Sequence, residues 1–541
     1  MRGADLIASK LALSGARYAF GIPGGEVLAL MDALDKAGIR FSLVKHENAG
    51  GFMAEGSWHA MATKGEDAPA ILLATIGPGV ANAVNTVANA FQDKVPLIFL
   101  SGCVDSVDAQ TYTHQIFNHQ ELLAPVVKGS FRATTGALNV IMDKAISLAL
   151  SGQPGPVHID VPISVAEMET EETIQPSHLP SAVRSTPDCT VIRDVVGRLA
   201  NAKRPLAIAG VDAVNAGAGD AVRTLCEKMG LPLITTYKGK GLMDESHPLS
   251  LGGAGLSPKA DHILLPEVAA ADLVLLIGYD PIEMRINWRN PWPETTEVID
   301  ISPVERTHGM HRVNCSVIGD IKAILCALAQ ACTELTERQP ELALQQVQRN
   351  LNEAFAPEPS GWGPASVIHC LRRVMPQTTV TTADSGAHRI LASQIWRCPA
   401  PRHMLQSSAL CTMACALPLA AGFKMASPET PVLVFVGDAG LEMGLGELAT
   451  LRDAGLPVIL CVLVDRSLSL IELKQRKSQH PNLGVDFEET NFPALAHAFG
   501  GHGVWIEDTD TLAREATAAL KRDTFTILAC RIDRRAYDDL L

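Results

Sequence analysis

Two aspartates carry the strongest chemical signal in the chain. VLVFVGDAG is an apolar, strand-like run that ends in Gly-Asp-Ala-Gly with Asp438, and PVILCVLVD is a second such run that ends at Asp465, 27 residues further on. In a parallel sheet, successive strand ends share one edge, and α/β proteins bind ligands at that edge. Glycines there let backbone amides approach a phosphate. Two adjacent carboxylates suit a hard cation such as Mg2+, which takes oxygen ligands and shares them with phosphates. Either aspartate alone reads more simply as a helix cap; the pair at this spacing points to a metal. A third carboxylate, Glu47, precedes the small and apolar run Ala49, Gly50, Gly51, Phe52 and Met53. In isolation it reads as a first-turn helix acid, but a poorly solvated carboxylate can also hold a proton for acid–base chemistry. Met413, 25 residues before Asp438, reads on its own as core filler.

The elements that must hold these residues follow from length and patterning. At usual domain sizes 541 residues make about three domains. With 47% hydrophobic and 19% charged residues the chain is an ordinary globular protein with a large core, and only 5% aromatics make that core aliphatic. A net charge of −14 without a Lys/Arg-rich run argues against nucleic-acid binding. Twelve scattered cysteines without a CxxC pair read as reduced thiols of a cytoplasmic protein. The opening MRGADLIASKLALSGARYAF reads as an amphipathic helix, and runs such as PLIFLSG fall far short of the about 20 apolar residues of a membrane span. Short β-rich runs alternate with helical patterns, which predicts α/β domains with parallel sheets flanked by helices. The first spans 1–170, with strands at Ala70–Ala74, Pro96–Ser101 and within Gly152–Val165. Polar, proline-containing residues 168–188 read as a linker. A central domain at 185–335 has RPLAIAG, LPLITTY, ADLVLLIG and TEVIDIS as strands. A charged helical stretch around Glu334–Glu353 leads to a third domain at 360–541, whose strands are TVTTADSG, PVLVFVGDAG, PVILCVLVD and FTILACRID.

Together these motifs resemble the thiamine diphosphate enzymes of the acetolactate synthase group. GDAGLEMGLGELATLRDAGLPVILCVLVDRS is similar to their metal-binding signature, with Ala439 in place of the usual third-position glycine and Val464-Asp465 in place of paired asparagines. GIPGGEV, KHENAGGFMAEG, GPGVANAVNTVANAFQDKVPLIFLSG and GPVHIDVP resemble the family's pyrimidine-binding domain, RPLAIAG and GYDPIEMRINW its middle domain, and SALCTMACALPLAAG the segment before the metal motif. The resemblance implies thiamine diphosphate and Mg2+ as cofactors. It implies metal ligands Asp438, Asp465 and the Ser467 carbonyl, and cofactor contacts from Gly24, Glu47, Pro78, Asn82, Cys411, Met413, Gly437, Asp438, Ala439 and Gly440. Glu47 is the implied catalytic residue. It shares a proton with N1′ of the aminopyrimidine, so that N4′ can deprotonate the thiazolium C2 and form the ylide. Met413 is the implied prop for the bent cofactor, although Cys411 and Ala414 stand near it where the family has glycine.

THQIFNHQELLAPVVK resembles the substrate-facing loop of the flavin-free members, with His114 and Gln115 as implied substrate contacts and His119 a further candidate; Asn118 stands where an acid is common. Glu26, Lys238 and Lys240 have weaker support. GYDPIE leans away from FAD in the middle domain. The implied reaction is carboligation, in which a 2-oxo acid such as pyruvate is decarboxylated and its remainder added to a carbonyl acceptor. The alternatives are a 2-oxo acid decarboxylase, a 2-hydroxyacyl lyase, or a non-catalytic cofactor-binding protein. A nicotinamide enzyme is disfavoured because no GxGxxG with a suitably spaced acid follows a strand. The resemblance further implies a homodimer or homotetramer with active sites between subunits, and a mobile lid at Leu473–Phe487.

Overall fold

Strand-forming runs rich in branched residues assemble into three wholly parallel, six-stranded sheets flanked by helices. The computed structural model describes residues 1–176, 187–332 and 341–541. The first sheet contains β1 (Tyr18–Ile22), β2 (Arg40–Leu43), β3 (Ala70–Ala74), β4 (Leu97–Cys103), β5 (Gly129–Arg132) and β6 (Pro156–Pro162), in the order β2-β1-β3-β4-β6-β5. The middle sheet contains β7 (Pro205–Ala209), β8 (Leu233–Thr236), β9 (Ser250–Ala254), β10 (Leu273–Ile277), β11 (Glu297–Ser302) and β12 (Cys315–Ile318), in the order β12-β11-β10-β7-β8-β9. The third contains β13 (Val380–Ala383), β14 (Met404–Gln406), β15 (Val432–Gly437), β16 (Ile459–Val464), β17 (His502–Ile506) and β18 (Thr526–Arg531), in the order β14-β13-β15-β16-β18-β17. Strands β3, β4, β7, β10 and β16 are buried at every residue, as expected where helices cover both faces of a parallel sheet.

Numbered within their own sheets, the first and third domains have the same strand order. The helix Glu47–Ala62 follows the second strand of its sheet and the helix Ala416–Ala426 follows the second strand of its own. These two equivalent helices pack on each other across the domain boundary at backbone contact. A Cβ on Gly422 would fall 1.9 Å from the Met53 carbonyl oxygen, and one on Gly56 2.1 Å from that of Leu419.

The segment read as a linker departs from that reading at its start. Thr170 N–H donates to the Met1 carbonyl, and Glu172 accepts the amides of Leu138 and Asn139, capping the helix Leu138–Leu150, so residues up to Gln175 strap onto the first domain. Residues 177–186 of that segment lie outside the described residues, as do residues 333–340 of the stretch read as helical; the helix after them runs Glu341–Ala354. Among the described residues no helix is long and apolar enough to cross a membrane.

The crossing of the two glycine-bearing helices yields a direct expectation. Gly422→Val forces apart two backbones and should cost about 1–3 kcal/mol in urea unfolding. Gly197→Ala, at a helical site with open space around it, should leave the unfolding midpoint unchanged or raised.

Candidate active site

At the carboxyl edge of the third sheet, Gly437 on β15 is paired with Leu463 on β16, which brings Asp438 and Asp465 side by side. Both are buried, at 3% and 8% exposure. Asp438 Oδ2 accepts the amides of Asp465 (3.0 Å) and Arg466 (2.7 Å), and its Oδ1 that of Ala439 (2.9 Å). Asp465 Oδ1 accepts the Ser467 amide (3.0 Å) and its Oδ2 the Ser469 hydroxyl (2.6 Å). Among the described residues no lysine or arginine pairs with either. Burial, and after it the neighbouring Asp438 charge, pushes Asp465 up to about 7, and burial raises Asp438 as well. An all-oxygen pair short of positive charge fits a hard divalent cation.

A cavity of about 140 Å³ opens beside the pair, lined by Ser385–His388, Met413, Gly437–Gly440, Asp465, Ser467–Ile471 and Tyr537. The helices Ala387–Ile395 and Ser469–Lys477 both begin at it, aiming N-terminal amides inward. His388 is buried with its Nε2 unpartnered, and burial lowers it to about 4, so the ring is neutral at physiological pH. Helix amides and a polar ring atom without a partner fit a diphosphate.

Gly440 has a steric reason to be glycine. A Cβ there would lie 2.3 Å from Asp384 Oδ2. Fully buried Asp384 accepts the amides of Ala414 (2.9 Å), Cys415 (2.8 Å) and Ala416 (3.2 Å), and so fixes the loop that carries Met413. Ala439, half-buried, meets no such obstacle. In the same loop Cys411 (φ +55°) and Ala414 (φ +60°) adopt the left-handed conformation. The backbone therefore follows a path suited to glycine at two positions without glycine. The Cys411 thiol donates to the Ser408 carbonyl at 3.2 Å, and its sulfur lies 3.0 Å from Arg389 Nη2.

On the first sheet's corresponding edge, Glu47 is the first residue of its helix and only 5% exposed. Its Oε2 accepts from Asn82 Nδ2 at 3.0 Å, from the helix that opens at Pro78. Gly24 sits against Thr75, whose hydroxyl donates to Glu26 Oε2 at 2.6 Å. Glu26, His114 and Gln115 share a separate, more open hollow of about 450 Å³. The cavity at the aspartate pair has no lining residue from the first domain. The structure thus gathers the expected residues into separate groups on two sheet edges.

Several suggested residues lie elsewhere. His119 is buried, accepts the Gly77 amide on Nε2 (3.2 Å) and meets Asp160 Oδ1 through Nδ1 (2.8 Å); it braces a turn and does not line the hollow. Asn118 caps the short helix after it through the Glu121 amide. Lys238 turns to Asp93 (2.8 Å) and Lys240 to Glu245 (2.7 Å), because each completes a buried ion pair. The segment Leu473–Phe487 is pinned at both ends, by Arg476 on Asp538 and by Ser467 on Asp486. In the middle sheet the strand order reverses between β7 and β10, where α/β sheets bind nucleotides. That crevice holds Arg306 between Asp212 (2.8 Å), Asp280 (3.6 Å) and Asp300 (3.9 Å), an acidic plug that does not fit the pyrophosphate of FAD. His388, Asp384, Arg389 and Tyr537 escaped the sequence reading. The run ADSGAHR after an apolar strand was a usable signal for the first three, and Tyr537 had none.

The paired carboxylates and helix amides on one sheet edge, with a buried acid on the matching edge of a twin sheet, fit an α/β enzyme that works with a charged cofactor. Sequence profiles described as the N-terminal TPP binding domain, central domain and C-terminal TPP binding domain of thiamine pyrophosphate enzymes match residues 1–122, 192–328 and 384–530. The chain is 30% identical to the acetolactate synthase isozyme 1 large subunit of Escherichia coli K12, over 92% of this chain and 88% of that protein. It is 28% identical to the acetolactate synthase large subunit of Lactococcus lactis (94% and 89%) and 28% identical to the probable acetolactate synthase large subunit of Methanocaldococcus jannaschii (98% and 92%). The chain belongs to the thiamine pyrophosphate enzyme family, and it is an enzyme dependent on that cofactor.

The left-handed residues of the Met413 loop can be tested one at a time. A non-glycine residue pays about 1–2 kcal/mol there, while glycine costs about 0.5–1 kcal/mol in chain entropy. Ala414→Gly should therefore raise stability by about 0.5–1 kcal/mol in thermal unfolding; a fall in melting temperature contradicts the strain.

Proposed function

We propose that this enzyme is an acetolactate synthase-like carboligase: it decarboxylates a 2-oxo acid such as pyruvate and adds the remaining acyl unit to a second carbonyl compound. The observation that carries this reading is the buried Glu47 carboxylate, held by Asn82 on the sheet edge equivalent to that of the aspartate pair. Bound thiamine diphosphate supplies the thiazolium that accepts the electron pair released when CO2 leaves. Glu47 keeps a proton at N1′ of the aminopyrimidine, and its apolar surroundings hold water away from that proton. Asn82 fixes the carboxylate's orientation. Asp438, Asp465 and the Ser467 carbonyl hold Mg2+, while His388 and the helix amides bind the diphosphate. Met413, which lines the cavity, would support the cofactor, and the backbone carbonyl of Cys411 would accept from its amino group. Gly24 and Pro78 complete the pyrimidine side, and Gly437, Ala439 and Gly440 the diphosphate side. His114 and Gln115 orient the substrate carboxylate.

Because the metal cavity lacks any first-domain lining residue, the working site combines the first domain of one subunit with the third of another, in a homodimer or homotetramer. All twelve cysteines are unpaired thiols, which favours a reducing compartment, the cytoplasm.

Apo-protein supplied with thiamine diphosphate and Mg2+ should turn pyruvate over to acetolactate. Acetaldehyde as the sole product would make it a decarboxylase, and no turnover would assign another donor. Glu47→Gln should lower kcat about 10²–10⁴-fold with an unchanged circular dichroism spectrum; full activity would remove Glu47 from the reaction. Chelation of the metal should release the cofactor together with activity, both returning on addition of Mg2+. Specific activity should also fall on dilution as the species becomes monomeric by light scattering.

A further inference from the structure

We propose that Lys238, on the middle domain, is a positioning residue for the cofactor loop Ser407–Cys415, acting through Asp93 and Glu55 of the first domain. The proposal rests on the reading of that loop as the cofactor's support. Lys238 follows β8, and its side chain is 7% exposed. Its ammonium lies 2.8 Å from Asp93 Oδ2 and 3.5 Å from Glu55 Oε1, on carboxylates that are 1% and 2% exposed.

Asp93 ends the helix that begins at Pro78, and both of its oxygens face the loop. Oδ2 accepts the Ser408 amide at 3.1 Å and Oδ1 the Ala409 amide at 3.2 Å. Glu55 acts one step further away. It accepts Asn89 Nδ2 at 2.9 Å, Asn89 Oδ1 accepts the Ser407 hydroxyl at 2.7 Å, and Ser407 Oγ accepts the Thr412 amide at 3.0 Å. Three amides of the loop are thus held by the first domain, directly or through Ser407, while Asp384 holds the following three from the third domain's own sheet. Within the stretch that these two clamps hold stand Cys411, Met413 and Ala414, and Cys411 and Ala414 are in the left-handed conformation.

Two carboxylates buried this close need a cation. Burial pushes both Glu55 and Asp93 up, and Lys238 is the strongest influence opposing it in each. Without that ammonium one of them takes up a proton. A protonated Asp93 accepts two amides less well than a carboxylate does, because charged acceptors make the stronger bonds. The loop, strained at Cys411 and Ala414, then relaxes away from the geometry that places Met413 in the cavity. A merely structural ion pair would behave differently, since removing one partner of it destabilises the fold as a whole and does not single out one loop.

Two readouts separate these roles. Apo-protein is titrated with thiamine diphosphate at saturating Mg2+, and alkylation of Cys411 by iodoacetamide is timed by peptide mass spectrometry, with buried Cys226 and Cys530 as internal controls for opening of the whole fold. Lys238→Met should raise the cofactor Kd at least about tenfold, 1.4 kcal/mol, and speed alkylation of Cys411 by a similar factor without changing the controls. Lys238→Arg should restore both values to near wild type. If Lys238→Met is insoluble, Asp93→Asn, with one acceptor oxygen in place of two, should move both readouts in the same direction. Wild-type Kd and wild-type Cys411 rate in either variant overturn the proposal, as does acceleration of all three cysteines alike. Should wild-type protein fail to bind the cofactor, the functional reading fails, while the Cys411 rates still decide whether Lys238 sets the loop.

Discussion

Two carboxylates buried on adjacent parallel strands are electrostatically incomplete. Asp438 and Asp465 sit beside each other and away from water, the Asp465 amide donating to Asp438 at 3.0 Å, and among the described residues no lysine or arginine forms an ion pair with either. The sheet cannot relieve this by moving them, since each is the residue just past a fully paired strand. Their neighbours can only donate amides and hydroxyls, which stabilise charge without cancelling it. The site therefore takes a cation or a proton, and the helix N-termini around the cavity call for an anion on the cation's far side. A metal with a diphosphate meets both demands in one ligand.

That demand explains the use of twin sheets. The third sheet supplies the charged end, and the first, of the same topology, supplies Glu47 at the matching edge. The helices behind these edges meet at Gly56 and Gly422 with almost no side chain between them, so the two domains within a chain are held at fixed separation.

All inner strands but β1, together with the charged pair, were legible from residues alone, and for the strands the reason is burial on both faces. PLAIA, LVLLI and ILCVLV are covered on both sides and read as continuous apolar runs. All six edge strands went unread. Arg40–Leu43, Gly129–Arg132 and Cys315–Ile318 are half exposed and mix polar with apolar residues, so they carry no continuous run. Ser250–Ala254 and Met404–Gln406 are well buried, but by packing between domains, which no local pattern reveals. β1, an inner strand, was missed because YAFGI joins directly onto an amphipathic helical run. At the site, Glu47, Met413 and the aspartates stood out through spacing and resemblance. His388 did not, because its significance lies in an unpartnered nitrogen. Lys238 was suggested for the wrong reason: its value is set by carboxylates more than 140 positions away in the chain.

The middle domain illustrates how a fold can keep a ligand-binding topology and give it other work. Its crevice at the strand-order reversal is closed by Arg306 among three aspartates, which opposes a nucleotide phosphate on both steric and electrostatic grounds. Yet the same domain sends a lysine from the end of β8 into the boundary between the other two, where buried Asp93 accepts two amides of the loop Ser407–Cys415. The ion pair of Lys238 with Asp93 joins the middle domain to the first, and Asp93 in turn holds the Ser408 and Ala409 amides of the third, so one continuous line of contacts runs through all three domains.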